Sequence, residues 1–170
     1  MLSFNTQGVV FQVRAAAVIV HESHLLLHHA EGEELWVLPG GRVEPGESSQ
    51  DAVCRELLEE VGVQAECQGL AFVVENFFVY NGAPNHELGL YHYAALPMDA
   101  PLLDKSRTHV GVERHIALVY RWFPLKELST LELHPAFLRS ARLEPTLSPA
   151  HVVQNERHHV PATAAAHGDA

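Results

Sequence analysis

Apolar and polar positions alternate along this chain with two different periods. Residues 11–21, FQVRAAAVIVH, are rich in β-branched and small apolar side chains, and HLLLHHA resumes at His24 after a break at Glu22 and Ser23. That spacing predicts a β-hairpin. LWVLPGG (35–41) is a short apolar strand stopped by Pro39 and two glycines. QGLAFVVENFFVY (68–80) and HELGLYHYAAL (86–96) flank a turn at NGAPN and predict a second hairpin. Residues 97–112 show no periodicity and predict a loop, after which VERHIALVYRWF returns to strand character.

Between residues 48 and 63 the period changes. Ser48 and Asp51 have the spacing of a capping box, so a helix starts near Ser49. Gly62 supplies a left-handed stop, with Val63 placed to fold back on Leu58. At 100° per residue, Cys54, Leu57, Leu58 and Val61 fall on one side and Glu56, Glu59 and Glu60 on the other. A second helix is expected within PLKELSTLELHPAFLRSARL (124–143), covering a sheet face with Phe137, Leu138 and Ala141. From Glu144 the composition turns to Pro, Ala, His and Thr, which predicts a domain over 1–145 and a flexible tail over 146–170. Strands on both sides of a central helix, with another helix late, predict an α/β class and an α/β/α sandwich around a mixed sheet.

Composition narrows the function classes. A length of 170 residues with 47% hydrophobic content suits one domain with a real core. No apolar run approaches the roughly 20 residues that span a membrane, and MLSFNTQG lacks the pattern of a signal peptide. A cytoplasmic protein with no membrane partner is expected. The net charge of -10, from 21 acids against 11 bases, argues against long nucleic acid as a partner. Two cysteines, Cys54 and Cys67, read as packing residues, and 13 histidines include no helical ligand pair.

Three glutamates on one helix face repel one another, and Arg55, four residues before Glu59, offsets only part of that cost. A hard divalent cation such as Mg²⁺ (or Mn²⁺), which takes carboxylate and phosphate oxygens, offsets it better. Taken alone, such a face is an ordinary solvated one. Here Gly41, Glu47, Arg55, Glu56, Leu57, Glu59, Glu60, Gly62 and Val63 occupy every defined position of the Nudix box, whose last part reads R-E-U-x-E-E-x-G-U with U aliphatic. From average residue usage, such a match arises by chance on the order of once in ten million chains. The sequence strongly resembles the Nudix hydrolase family of MutT-like proteins, with weaker likeness from about residue 11 to 143.

The resemblance implies the sandwich fold and hydrolysis of a nucleoside diphosphate linked to another group. It makes Glu56, Glu59 and Glu60 metal ligands, has Arg55 orient a glutamate, and leaves Glu47 to support the loop or a further ion. Gly41 and Gly62 become backbone requirements. The general base is open between Glu59 and an acid outside the box; Glu113, at the end of a loop before Trp122, is the first choice, with Glu87 and Asp104 beside it. An ADP-ribose subgroup carries a proline where Val79 stands, and some dinucleoside polyphosphate hydrolases carry a tyrosine at the position of Tyr80, so a (d)NTP or dinucleoside polyphosphate is favoured. Dimers are common in the family, and a homodimer is among the expected assemblies. The second reading is a nucleotide-binding sensor without turnover.

Other positions have two readings. Arg14 meets substrate phosphate or ends a strand with a salt bridge. His28 and His29 reach substrate or pack on a strand. Glu75 and Glu87 interrupt apolar runs and are turned, paired or directed to the site.

Overall fold

The computed structural model describes residues 1–80, 82–113, 116–145 and 148–156, with the side chains of Val112 and Glu113 outside that description. Its strands are β1 (Ser3–Thr6), β2 (Val9–Val18), β3 (Val20–His21), β4 (His24–Ala30), β5 (Trp36–Val37) and β6 (Gly40–Arg42), then β7 (Glu66–Tyr80) and β8 (Ala83–Ala95). They continue with β9 (His109–Glu113), β10 (Ile116–Pro124), β11 (Leu133–His134) and β12 (Ala150–Glu156). One helix, α1 (Ser49–Val61), stands between β6 and β7.

Among the described residues these strands form two mixed sheets. The first runs β1-β2-β8-β7-β12 with β6 also on β2, and the second runs β11-β5-β4-β10-β9 with β3 on β4. β2 and β4 are buried on both faces. Ala15, Ala17 and Leu26 join the core under α1, together with Val53, Leu57, Leu118 and Trp122. Ala16, Val18, Leu25 and Leu27 join a second core with Phe72, Val74, Leu128 and Leu138. This explains why both strands read as near-continuous apolar runs rather than alternating ones. The expected α/β class and layered plan hold.

The first hairpin turns at Glu22 and Ser23, whose φ values of 44° and 61° are those of a two-residue primed turn. Cys54 on α1 and Cys67 on β7 are free thiols with sulfurs 4.0 Å apart. Residues 97–112 are only partly a loop, because β9 begins at His109 and pairs antiparallel with β10.

Two expectations fail for long-range reasons. The late segment is not an α-helix; it is a pair of 3-10 turns, Leu125–Thr130 and Ala136–Arg139, separated by β11. Pro135 disfavours helical backbone at His134, and Leu133 and His134 are drawn instead into parallel pairing with Trp36 and Val37. The turns nonetheless cover the core, with Leu128 and Leu138 buried.

The expected flexible tail contains β12, which pairs in parallel with β7 from Ala150↔Phe72 to Glu156↔Phe78. Its inward positions are Val152, Gln154 and Glu156, an alternation that the polar composition of the region obscured. Val152 packs on the second core. Residues 157–170, with His158 and His159, lie outside the described residues.

Deleting residues 146–170 is therefore expected to remove about 2 kcal/mol of stability through lost apolar burial and side-chain hydrogen bonds, lowering Tm by roughly 4–8 °C in a domain of this size. A thermal melt that is unchanged would show that β12 does not hold to the sheet. Gly40 gives a second check. With φ at 139°, an added Cβ would lie 2.2 Å from the Ala15 carbonyl oxygen on β2. Backbone cannot yield there as a side chain would, so Gly40→Ala is expected to cost on the order of 3 kcal/mol, read as a lower urea midpoint with unchanged slope.

Candidate active site

The site is built on α1, whose ends are set locally. The Ser48 hydroxyl oxygen accepts from the Asp51 N–H at 3.1 Å. At the other end, Gly62 adopts φ 67°, and the N–H groups of Gly62 and Val63 donate to Leu58 and Leu57 carbonyls. With both ends fixed, the rotation of the helix follows from packing. The observed buried set is Ala52, Val53, Glu56, Leu57 and Glu60. Leu58, expected inside, is 50% exposed, and Glu56 and Glu60, expected on an open face, are 8% and 4% exposed. The helix sits against β2, β6 and β9 together, so its contact wraps past the apolar stripe onto the flank that carries these two acids.

Buried carboxylates need partners. Arg55 supplies them through its guanidinium fork. Its Nε donates to Glu47 Oε1 at 2.8 Å and one terminal nitrogen to Glu47 Oε2 at 3.0 Å. The other donates to Glu56 Oε1 at 2.8 Å and Glu59 Oε2 at 3.2 Å. The Arg42 carbonyl accepts at 3.2 Å. The hydrogen bonds that Arg55 donates hold the Glu47 carboxyl below its ordinary range, and donating to Glu47 and Glu56 raises the Arg55 pKa despite partial burial. A depressed carboxyl contributes stability above its unfolded pKa and loses it as pH falls, so this fork weakens in acid.

Glu56 also explains Gly41. A Cβ there would come within 2.2 Å of Glu56 Oε1. Gly41 has no left-handed φ; the need is for space beside a carboxylate rather than for an unusual backbone. Glu60 is fixed differently, as acceptor of the Tyr120 hydroxyl from β10. Tyr120 stacks on His28 of β4 at 5.0 Å between centroids and 14° between planes.

The opposite wall belongs to the first sheet. Arg14 on β2 is partly buried and donates to the carbonyls of Gly40 at 2.8 Å and Leu38 at 3.4 Å. Burial opposes its charge, but Glu87, Tyr91, Glu60 and Glu56 outweigh that and raise its pKa. Glu87 on β8 is 5% exposed and accepts from Gln12 Nε2 at 2.7 Å, and Gln12 accepts from Arg42 Nε at 2.9 Å. Burial, then Glu87, pushes the Tyr91 phenol upward.

These groups line a cleft of about 310 Å³, within the range of small-molecule sites. Of the candidates read from sequence, Arg14, His28, His29, Gly41, Arg55, Glu56, Glu59, Glu60 and Glu87 line it. Glu47 stands behind Arg55. Tyr80 does not line it; it closes the β7–β8 hairpin opposite Ala83. Glu75 faces away and accepts from His151 at 2.8 Å, and Asp104 is exposed and bound to Ser106 and Arg107. Glu113 ends β9 opposite Ile116, and its side chain is outside the described residues. Sequence reasoning missed Gln12, Arg42, Tyr120 and His134, whose only sequence signal is polarity within apolar strands.

Among the described residues, no three His, Cys, Asp or Glu side chains converge closely enough to form a metal cluster. Of the expected ligand set, Glu47, Glu56 and Glu59 are gathered on Arg55, and Glu60 accepts from Tyr120. The chemistry of the cleft still suits a hard cation. Its lining carries the carboxylates of Glu33, Glu44, Glu56, Glu59, Glu60 and Glu87 against the guanidinium groups of Arg14, Arg42 and Arg55. No helix among the described residues is long and apolar enough to cross a membrane.

Comparison with known proteins extends this picture. A putative 8-oxo-dGTP diphosphatase of Bacillus subtilis (strain 168) is 48% identical over 52 residues, 30% of this chain and 35% of that protein. The chain thus spans about a third of that relative's length. An RNA pyrophosphohydrolase of Bradyrhizobium sp. (strain ORS 278) is 29% identical over 158 residues, 85% of this chain and 88% of that protein. Among solved structures, a MutT NUDIX hydrolase from Burkholderia pseudomallei aligns with a TM-score of 0.53 at 28% identity, over 68% of this chain and 84% of that one. The family model described as the NUDIX domain matches residues 10–146, from β2 to the segment just before β12. With that match over most of its length and an intact box from Gly41 to Val63, the chain belongs to the Nudix hydrolase family.

Proposed function

We propose that this protein is a metal-dependent pyrophosphohydrolase that cleaves the diphosphate linkage of a nucleoside diphosphate joined to another group. The observation that carries the reading is the acid excess of the cleft, with Glu56 and Glu60 buried beside the exposed Glu59 and Arg14 on the facing wall. Glu56, Glu59 and Glu60 would hold Mg²⁺ or Mn²⁺, with Glu47 supporting the loop through Arg55. When bound, such an ion shields phosphate oxygens and lowers the pKa of a bound water.

The chain's own groups supply the rest. Arg55 orients Glu56 and Glu59, and the space at Gly41 lets the Glu56 carboxylate approach the loop. Arg14, fixed by two carbonyls, supplies a positive charge to a phosphate in the cleft. Glu87 supplies a carboxylate from the wall opposite α1, the position from which a base can hold water for in-line attack. Glu113 remains the other candidate for that role. Tyr80 lies off the cleft lining, which favours a (d)NTP over a dinucleoside polyphosphate; Val79 stands beside it on the same hairpin end, where an ADP-ribose subgroup carries proline. The Arg55 fork on three carboxylates favours the second reading, a nucleotide-binding sensor without turnover. A nucleotide panel with Mg²⁺ and product identification separates the two: the hydrolase yields a nucleoside monophosphate and phosphate-containing products, and the sensor yields none.

Glu59→Gln and Glu60→Gln are expected to lower turnover roughly a hundredfold or more with Tm little changed, since Glu59 is exposed and a glutamine at 60 still accepts from Tyr120. Near-normal rates in both would end the metal-site reading. Gly41→Ala is expected to displace the Glu56 carboxylate and lower activity at a stability cost of about 1 kcal/mol; a fully active variant would show that Glu56 does not need its present position. For the base, Glu87→Gln, Glu113→Gln and Asp104→Asn are compared across pH at saturating Mg²⁺. The Glu87 variant alone is expected to lose roughly a hundredfold in turnover, and a normal rate there with loss at Glu113 would move the role.

A further inference from the structure

Strand register sets two rows of mostly polar residues across the sheets, in which His28, His134, Gln12 and Glu87 line the cleft. In the second sheet the register aligns Tyr120, His28, Val37 and His134 across β10, β4, β5 and β11. In the first it aligns Gln12, Glu87, Asn76 and Gln154 across β2, β8, β7 and β12. One end of the second-sheet row touches the catalytic acids, because Tyr120 donates to Glu60. The other end, His134, is three strand spacings away, roughly 14 Å. Val37, Phe78, Tyr91 and Pro135 also line the cleft, and a nucleotide with its diphosphate at the carboxylates would extend its base toward the His134 end.

His134 is held from both sides. Its Nδ1 lies 2.7 Å from Glu156 Oε2 on β12, and its Nε2 lies 3.2 Å from Asn76 Nδ2 on β7. A carboxylate only accepts, so Nδ1 carries the proton and Nε2 accepts from the amide. Both ring nitrogens are engaged, and the ring lines the cleft beside Phe78, 5.5 Å away and near perpendicular. Such a surface receives a flat heteroaromatic group by stacking. Glu156 also accepts from the Ala136 N–H at 2.9 Å, and Gln154 accepts from the Phe137 N–H at 3.2 Å, so β12 pins the segment that carries His134. Burial opposes ionisation of Glu156, but His134 and the Ala136 N–H outweigh it and hold the carboxyl below its ordinary range. This strand lies beyond the residues that the family model matches.

Resting on the hydrolase reading above, we propose that Glu156 is a positioning residue that fixes His134 as the wall against which the nucleobase stacks. The C-terminal strand then contributes to substrate choice although it holds none of the box residues.

The test compares the full-length protein with E156A, E156Q, H134A and the E156A/H134A pair, each checked by thermal melt. Each is assayed with a nucleoside triphosphate and with 5-phosphoribosyl 1-diphosphate, which has the diphosphate and sugar but no base. E156A is expected to raise KM for the nucleotide roughly three- to tenfold, the scale of one or two lost hydrogen bonds, with kcat within about twofold. KM for the base-free substrate stays unchanged. E156Q, which keeps an acceptor for Nδ1, falls between, and the pair is no worse than H134A alone because both changes act through one ring. Equal KM shifts for the two substrates, a fall in kcat alone, or no change overturns the proposal. If the wild type hydrolyses neither compound, the hydrolase reading fails by itself. Calorimetric binding of AMP against ribose 5-phosphate then decides the inference: AMP must bind the wild type and weaken in E156A while ribose 5-phosphate does not change.

Discussion

A single guanidinium governs the geometry of this site. Arg55 binds Glu47, Glu56 and Glu59 and the Arg42 carbonyl, joining the loop after β6 to the helix that follows it. Three carboxylates this close would repel one another strongly without it, and Glu56 is nearly buried. Losing Arg55 would leave the Glu56 charge without compensation, although water screens the more exposed contact to Glu59. The same contact holds Glu56 and Glu59 where they line the cleft. Stability and site geometry thus depend on one interaction, and a lysine, with no planar fork, would not reproduce it.

Around that contact the two sheets act as walls with different chemistry. Near α1 the cleft is acidic, with Glu60 tied to Tyr120 and Tyr120 stacked on His28. On the facing wall, Arg14, Gln12 and Glu87 are each held by a second polar group, so their side chains are ordered before any ligand arrives. Such preorganisation matters for phosphate chemistry, where catalysis consists of positioning and electrostatics. The far end is aromatic and apolar and is closed by His134. A gradient from acid to aromatic over three strand spacings matches a substrate with a charged end and a flat end.

The box helix was the most legible part of the chain because everything that defines it is local. Ser48 caps through a residue three positions away, Gly62 stops the helix by its own backbone freedom, and Arg55 reaches Glu59 one turn on. The nine box positions identify the family on the same short scale. The hairpin at Glu22 and Ser23 and the long pair β7–β8 were likewise visible as apolar runs separated by turn residues.

Helix rotation, by contrast, depends on packing against several strands, so the periodicity alone places Leu58 inward and Glu56 and Glu60 outward, the reverse of what the core requires. Tyr120 lies 60 residues from the acid it holds, and His134 lies 58 residues from Asn76 and 22 from Glu156. No periodicity encodes such pairs; they follow from strand register, which forms only when the sheets do. The residues after 145 looked too polar to fold for the same reason. β12 buries little on its own, and it is ordered by a ladder to β7 and by a carboxylate whose partners arrive from another part of the chain. Composition measures what a segment brings to a core, whereas an edge strand is held by what the core already offers it.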